Sequence, residues 1–350
     1  MSTTNESSVR AGGMGAEEAA LVAAATQGDE AAFATLSRRY RRELHVHCYR
    51  MLASFEDAED LVQETMLRAW QKRESFEGRA PFRAWLYRIA TNACLDFLAK
   101  HAREVIDENA RDPQTGLPVP PHVPWLQPYP DRLLDEAASP EDPDARVMAK
   151  ETIELAFLIA LQLLPPKQRA VLILRDVLDW SAKETASLLE DSVPAVNGAL
   201  QRARLTLRER GPSRGAGASR TKSDSREQAL LDQYVAATER NDARAIAHLL
   251  KEDVTFSMPP EKFVAAGRDR VVDSWIEGGF GAPPYDDFRC VVTRANGMPA
   301  VANYLRRPGE QVHRAFALDV LRIENGMIAD VTAFDLTSRL DAFDLPETLS

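Results

Sequence analysis

LPPKQRAVLILRDVLDWSAKETASLLEDSVPAVNGALQRARLTLRER, residues 164–210, carries the most explicit architecture in the chain. Ser181-Ala182-Lys183-Glu184 has the spacing of a capping box. In that motif the Ser hydroxyl and the Glu carboxylate each satisfy a backbone N–H that a helix start leaves orphaned. The helix opened there runs to about Leu189 and is short. Glu190-Asp191-Ser192 supplies a turn, and Ser192 can cap a longer helix whose Pro194 falls harmlessly in its first turn. A short helix, a tight turn and a longer helix bearing Arg202, Arg204, Arg208 and Arg210 fit helix-turn-helix geometry. The second helix then enters a DNA major groove, with Asn197 and Gln201 near base edges and the arginines on phosphates or guanine. A helical hairpin packed only on its neighbours is the alternative reading of the same pattern.

Two amphipathic stretches lie upstream. In DAEDLVQETMLRAW (57–70), Ala58, Leu61, Val62, Thr65 and Ala69 share one side of a helix. Asp60, Gln63 and Glu64 gather on the other, with Leu67 beside them. The charges are gathered rather than scattered along the exposed face. RAPFRAWLYRIATNACLDFLAKHAR (79–103) predicts a second helix with Phe82, Leu86, Ile89, Ala93 and Phe97 turned inward. Arg88 and Asn92, four apart, share an edge near Trp85, and Arg83, Lys100 and Arg103 add positive charge. Aromatics, an amide and bases beside the Gly/Pro loop ESFEGRAPF (74–82) suit single-stranded DNA, whose bases stack or flip into pockets. An ordinary surface helix over an aromatic core is the alternative.

The rest of the chain divides by composition. Residues 1–16 are polar and glycine-rich and read as a disordered N-terminus; 17–103 form the first helical module. Residues 104–150 hold prolines at 113, 118, 120, 121, 124, 128, 130, 140 and 143, and acids outnumber bases by ten to four. That composition predicts an extended acidic linker with one short ordered piece at VPWLQPYPD. Helical periodicity resumes over 151–210, and GPSRGAGASRTKSDS (211–225) reads as a flexible linker. In 226–350 helical pieces at 227–250 and 268–278 accompany β-like runs at 253–258, 288–295, 299–305, 312–323 and 327–335. The turns ANG (295–297), RRPGE (306–310) and ENG (324–326) separate the later strands. The fold class is therefore multidomain: two all-α modules followed by an α+β domain.

Bulk properties narrow the function. The net charge of −10 means that any nucleic-acid footprint must be local. No run of about 18 apolar residues is present, so neither a membrane span nor a membrane partner is expected. The N-terminal stretch lacks the apolar core of a signal peptide. Cys48, Cys94 and Cys290 lie far apart and form no CxxC pair, which favours a reducing cytoplasm and argues against zinc. His45 and His47, two apart, point in different directions on a helix, so no metal and no cofactor are expected.

The three motifs, in this order, resemble bacterial RNA polymerase sigma factors of the extracytoplasmic-function (ECF) group over roughly residues 30–210. The resemblance implies that 17–103 is sigma region two and 151–210 sigma region four, with core RNA polymerase (its β′ coiled coil and β subunit) and promoter DNA as partners. The 57–70 helix falls where that family docks on the β′ coiled coil, with Asp60, Gln63 and Glu64 at the docking positions, Leu67 giving apolar contact and Trp70 one turn further on. Segment 74–103 takes the place of the part that opens the −10 element, with Arg83, Trp85, Arg88 and the base-contacting Asn92. The helix at 192–209 takes that of the −35 reader, with Ser192, Asn197, Gln201, Arg202, Arg204 and Arg208. The acidic 104–150 stretch replaces a linker that threads the polymerase RNA path, a channel built to hold a polyanion. One departure stands out: Asn197-Gly198-Ala199 occupies positions where many members are basic. Gly198 weakens its helix by about 1 kcal/mol relative to Ala, and close backbone approach to DNA is one reason for it.

Residues 226–350 resemble SnoaL-like domains, curved-sheet cones that enclose a pocket. Tyr304, His313, Asp319 and Asp335 are the pocket candidates, for an unknown small ligand or for isomerase or cyclase chemistry with an Asp or His base. Inward polar groups of such cones are more often structural. The expectation is therefore regulation of the sigma modules with no covalent catalysis. A helix-turn-helix regulator that never joins polymerase is the remaining alternative.

Overall fold

The computed structural model describes residues 15–103, 105, 110–137, 152–210, 224–337 and 339–350. The expectations for 1–14, 104, 106–109, 138–151, 211–223 and 338 fall outside them. Four helices open the fold: α1 (Ala16–Thr26), α2 (Glu30–Leu52), α3 (Phe55–Gln71) and α4 (Phe82–Lys100). Asp29 caps α2 through Ala32 N (3.0 Å) and Ser54 caps α3 through Asp57 N (3.2 Å). Between them Ala53 turns the chain at φ 55°. The five residues read as the inner side of α3 are its buried set.

Helix α4 differs from its expected stripe. Phe82, Leu86 and Ala93 are buried, but Ile89 and Phe97 are only half-buried. Tyr87, Ala90, Thr91, Cys94 and Leu98 are buried instead. One apolar stripe serves a helix with one neighbour, and α4 has two. The second helical module packs on its far side, where Trp180 meets the Tyr87 ring at 5.5 Å.

The linker is not extended throughout. Arg111 and Pro118 form a β-bridge around a turn in which Asp112 accepts from Gln114 N and Thr115 N, both at 2.9 Å. Tyr129 is fully buried, and α5 (Asp131–Ala137) follows. The short ordered piece expected at VPWLQPYPD lies in this stretch, where Val123, Leu126 and Tyr129, followed by Leu133 and Leu134, find an apolar surface to cover.

The second module comprises α6 (Leu155–Gln162), α7 (Pro166–Leu172) running into a π-turn (Ile173–Val177), α8 (Ala182–Leu188) and α9 (Val193–Arg210). The α+β domain contains α10 (Asp224–Glu239), α11 (Ala243–Leu249), β1 (Leu250–Ser257), β2 (Val264–Ala266), α12 (Arg268–Glu277), β3 (Phe288–Ala295), β4 (Met298–Leu305), β5 (His313–Glu324), β6 (Met327–Asp335), α13 (Leu340–Phe343) and β7 (Thr348–Leu349). The helix expected over 227–250 is broken at Asn241 (φ 55°), after which Asp242 caps α11 through Ala245 N at 3.0 Å.

The sheet runs β2-β1-β6-β5-β4-β3, with β7 on β5. The β1–β6 pair is parallel and the others are antiparallel. On one face Val301, Leu321 and Val331 share a core with Tyr234, Ile246 and Val272 of the covering helices. On the other, Ala300, Ala302, Tyr304, Leu318, Val320 and Phe334 join the core that contains Leu44, Tyr49 and Tyr129. All eight residues of β4 are buried, so both of its faces are covered. The sheet domain is packed into the helical part rather than hung beside it.

Candidate functional site

The helix-turn-helix is built as its sequence predicts. Ser181 N donates to Glu184 Oε2 (2.8 Å) and Glu184 N to Ser181 Oγ (3.2 Å), closing the capping box. Those bonds hold the Glu184 carboxyl below its usual range. Glu190 makes the turn at φ 51°, and Ser192 Oγ caps α9 through Ala195 N (3.2 Å). Val196, Ala199, Leu200 and Ala203 face inward. Asn197, Gln201, Arg202, Arg204 and Arg208 are exposed on the outer face. Arg204 is not free there: Nε and Nη2 bond the Asp176 carboxylate at 2.9 and 2.6 Å, which raises the guanidinium pKa. It braces α9 against the preceding π-turn. A Cβ on Gly198 would meet only the Arg202 guanidinium, at 3.4 Å, so packing within the chain does not require this glycine.

Helix α4 and the loop before it build an aromatic nest in which half-buried Phe76 and Trp85 lie over buried Phe82. Phe76, Phe82 and Trp85 lie with ring centroids 5.3–5.4 Å apart. Phe76, absent from the residue-level expectation, sits in the loop read as pocket-forming. Arg83 turns inward from that nest, bonding Glu43 of α2 at 2.8 and 3.1 Å. Burial pushes the Glu43 carboxyl up, and Arg83 pulls it back. Arg88 is exposed and forms an ion pair with Glu190, the turn residue before α9, while Asn92 is half-buried. The edge carrying Arg88 and Asn92 therefore faces the second module.

On α3, Asp60, Gln63, Glu64 and Leu67 form one exposed face, Leu67 at 56% accessibility. Glu64 pairs with Arg68 at 2.6 Å, and Arg68 reaches Asp96 of α4 at 3.5 Å. Trp70 stands at the rim. Its ring packs 5.1 Å from Phe33 and lies under the Arg73 guanidinium (4.4 Å), which fixes its orientation.

Comparison with known proteins adds to this geometry. Residues 36–104 match the Sigma-70 region 2 family, 155–207 the Sigma-70 region 4 family, and 231–331 the SnoaL-like domain family. Over 322 residues the chain is 41% identical to the ECF RNA polymerase sigma factor SigG of Mycobacterium tuberculosis, covering 91% of this chain and 85% of SigG. The chain belongs to the ECF RNA polymerase sigma factors. SigW of Bacillus subtilis, also named an ECF sigma factor, is 30% identical over 183 residues, 52% of this chain and 90% of SigW. The crystal structure of the extracytoplasmic-function sigma factor SigJ of M. tuberculosis shares the fold, with a TM-score of 0.56 at 23% identity over 89% of this chain and 99% of SigJ. Among the described residues, no helix of the sigma factor is long and apolar enough to cross a membrane.

The C-terminal domain of this sigma factor corrects one expectation: its four pocket candidates do not converge. Tyr304 follows Asn303 on β4, so the two point to opposite faces. Tyr304 lies in the core shared with the sigma modules and donates to Pro346 O at 2.8 Å. His313 is buried and tied to Asp287 at 2.9 Å. Asp335 is exposed and accepts from Thr337 N (2.9 Å) and Oγ1 (2.8 Å). Asp319 faces the helices, its carboxyl bonded by Asn303 Nδ2 (2.7 Å) and Tyr234 Oη (3.0 Å). Burial pushes its pKa up to about 6 while those two bonds oppose the rise. A raised carboxyl is also what a general base requires, but both partners here are the chain's own side chains.

The junction that sequence reading missed lies at the C-terminal end of α2. A helix end leaves carbonyls unpaired and carries partial negative charge. Arg169 of α7 donates to Met51 O, Arg103 to Leu52 O (3.0 Å), and Gln127 N to Ala53 O (3.0 Å). Tyr49 Oη donates to Gln127 O at 2.6 Å, and Arg50 reaches Thr152 at 2.7 Å. Burial lowers the Arg169 pKa to about 9. His45 contacts Tyr129 Oη (3.1 Å) and His47 contacts Thr91 Oγ1 (2.9 Å). Burial drives both imidazoles down, to about 4 and about 3, so both are neutral structural residues. Region two, the linker and region four are thus joined through one helix end.

Proposed function

We propose that this sigma factor docks on core RNA polymerase through the face of Asp60, Gln63, Glu64 and Leu67, with Trp70 as a packed rim. Helix α9 reads the −35 element through Asn197 and Gln201 at base edges and Arg202 and Arg208 on the backbone, with Ser192 setting the helix start and Arg204 bracing it. Phe76, Trp85, Arg88 and Asn92 hold the opened −10 strand, and Arg83 supports their helix from beneath. Gly198 lets the α9 backbone come close to DNA. The protein selects and opens promoters and makes or breaks no covalent bond.

The C-terminal domain regulates this activity by favouring a closed form. The observation that carries this reading is that the sheet of the C-terminal domain shares one core with region two, the linker and region four, the two sigma modules meeting at Arg88 and Glu190. Elements at −35 and −10 are centred about 25 base pairs apart, about 85 Å along B-DNA. Modules that touch at Arg88 and Glu190 cannot occupy both, so the closed form must open on the promoter. The linker is held as well. Thr115 Oγ1 donates to Ala266 O at 2.9 Å, binding it to the edge of the sheet. A linker that threads polymerase has to leave that edge. The docking face on α3 and the outer face of α9 stay exposed, so core polymerase and −35 DNA can each be met before opening.

Run-off transcription with purified core polymerase tests both parts. The full chain should form a holoenzyme and initiate at a matching promoter, and failure to bind core at low salt would sink the reading. Truncation after residue 212 should change the transcription level; an unchanged level would remove the regulatory role.

A further inference from the structure

The β3–β4 hairpin ends in Asn296-Gly297, with φ 56° and 73°. Positive φ at both central residues is the type I′ geometry, for which Asn-Gly is the favoured pair. Such a tip is ordinarily in water. Here Asn296 is 0% exposed.

Its surroundings explain the burial. Asn296 Nδ2 donates to Tyr49 Oη (2.8 Å) and to Ile153 O (2.7 Å). Its Oδ1 accepts from Tyr129 N at 2.8 Å, and its own N–H donates to Tyr129 O at 2.8 Å. The next residue continues the pattern, Gly297 N donating to Asp131 Oδ1 at 2.7 Å, while Pro130 and Ala295 form a β-bridge. One amide therefore bonds α2 of region two, the linker, and the residues leading into region four. Every one of these bonds joins segments remote in sequence.

We propose that Asn296 is the latch of the closed sigma factor: its side chain locks region two, the linker and the start of region four against the C-terminal domain. This rests on the regulatory reading above and names its device. The apolar side of β4 lies in one core with residues of α2, the linker and region four. The Asn296 bonds add a polar fastening that reaches all three at one point. A polar latch suits a switch. Its groups are satisfied when closed and can be satisfied by water when open, so release strands no donor or acceptor.

The test is Asn296→Gly in the full chain, because glycine accepts the positive φ and keeps the turn while removing all three side-chain bonds. Hydrogen–deuterium exchange should become tenfold or more faster over 123–134, with strands 313–335 still protected. Run-off transcription should shift in the same direction as truncation after residue 212. Faster linker exchange with the matching shift supports the latch. If truncation alters transcription but Asn296→Gly leaves linker exchange and transcription at wild-type levels, the latch is overturned and the regulatory reading stands. If truncation alters nothing, both fall together. Should Asn296→Gly fail to fold, Asn296→Asp tolerates the positive φ and keeps the bond from Tyr129 N while removing both Nδ2 donations, to Tyr49 Oη and to Ile153 O. It carries the same pair of readouts, a smaller acceleration in the same segment being the supporting result and wild-type exchange the overturning one.

Discussion

Asp319→Asn should stabilise the C-terminal domain at neutral pH and destabilise it in acid. The carboxyl lies between Tyr234 and Asn303, and burial lifts its pKa from 3.8 to about 6. Below pH 3.8 the folded and unfolded chains both hold the proton, and the stability it confers is fully present. As pH rises towards 6, the unfolded chain releases its proton while the folded one keeps it, and stability falls. Above 6 the loss is complete and constant. A gap of about two units corresponds to about 3 kcal/mol, and water reaching a half-buried residue brings the expected loss to about 1–3 kcal/mol. Asparagine cannot ionise and avoids it. It keeps one oxygen for Tyr234 or Asn303 but sets an NH2 against the other donor, at a cost of about 1 kcal/mol. The variant should therefore melt a few degrees higher at pH 7.5 and slightly lower at pH 4.5, the two profiles crossing near pH 5. Calorimetric melting of the full chain across this range reads the crossing directly. Parallel profiles for the two proteins would refute the reasoning, since they would mean that the carboxyl ionises as freely folded as unfolded.

Glu64→Lys reverses a charge at the centre of the proposed docking face; core-polymerase affinity should fall about 100-fold, roughly 3 kcal/mol, with promoter-fragment binding by the full chain unchanged, as measured by fluorescence anisotropy. Gln201→Ala should cost about 1–3 kcal/mol at one −35 base pair and relax the preference there, whereas Arg208→Ala should weaken all sequences alike and reduce the salt slope by about one; a panel of mutated −35 sites at several salt concentrations separates the two. Ser181→Ala opens the capping box and should lower the stability of region four by about 1 kcal/mol, read by urea unfolding.

Features encoded within a few residues were legible in the sequence. The capping box at Ser181 and Glu184 needs only local bonds, and its geometry is as read. The inner side of α3 followed from helical period alone because α3 buries a single face. Strands β3 to β6 lie within a residue or two of the predicted runs, since Asn and Gly mark their turns. Long-range partners were not legible. The second buried side of α4 depends on Trp180, which lies more than 80 residues away from Thr91 and Tyr87. Asn296 read as a turn residue because its turn chemistry is genuine; its burial depends on Tyr49, Tyr129 and Ile153. One overlooked signal was present: MPAVANYL (298–305) is nearly continuous in apolar residues, the mark of a strand with no wet face. At the candidate site, Asp60, Gln63, Glu64 and Leu67 emerged from pattern and lie on one surface. Tyr304, His313, Asp319 and Asp335 did not gather, because alternation along a strand sends neighbours to opposite sides and β5 carries a register shift opposite Asn303 and Tyr304.

Strand β4 sets a limit on how freely the two halves of this chain can be exchanged. A domain joined only by a tether can be moved between relatives by recombination within the tether. Here, cutting between residues 210 and 224 would bring Ala300, Ala302, Tyr304, Leu318, Val320 and Phe334 into water together, an apolar surface of the kind that promotes association. A foreign extension would have to offer the same small residues opposite Tyr129 and Leu134, or repack both. The fusion is therefore heritable as a single unit: the extension and the helices beneath it must change together, even though a seam of some dozen residues parts them in the sequence.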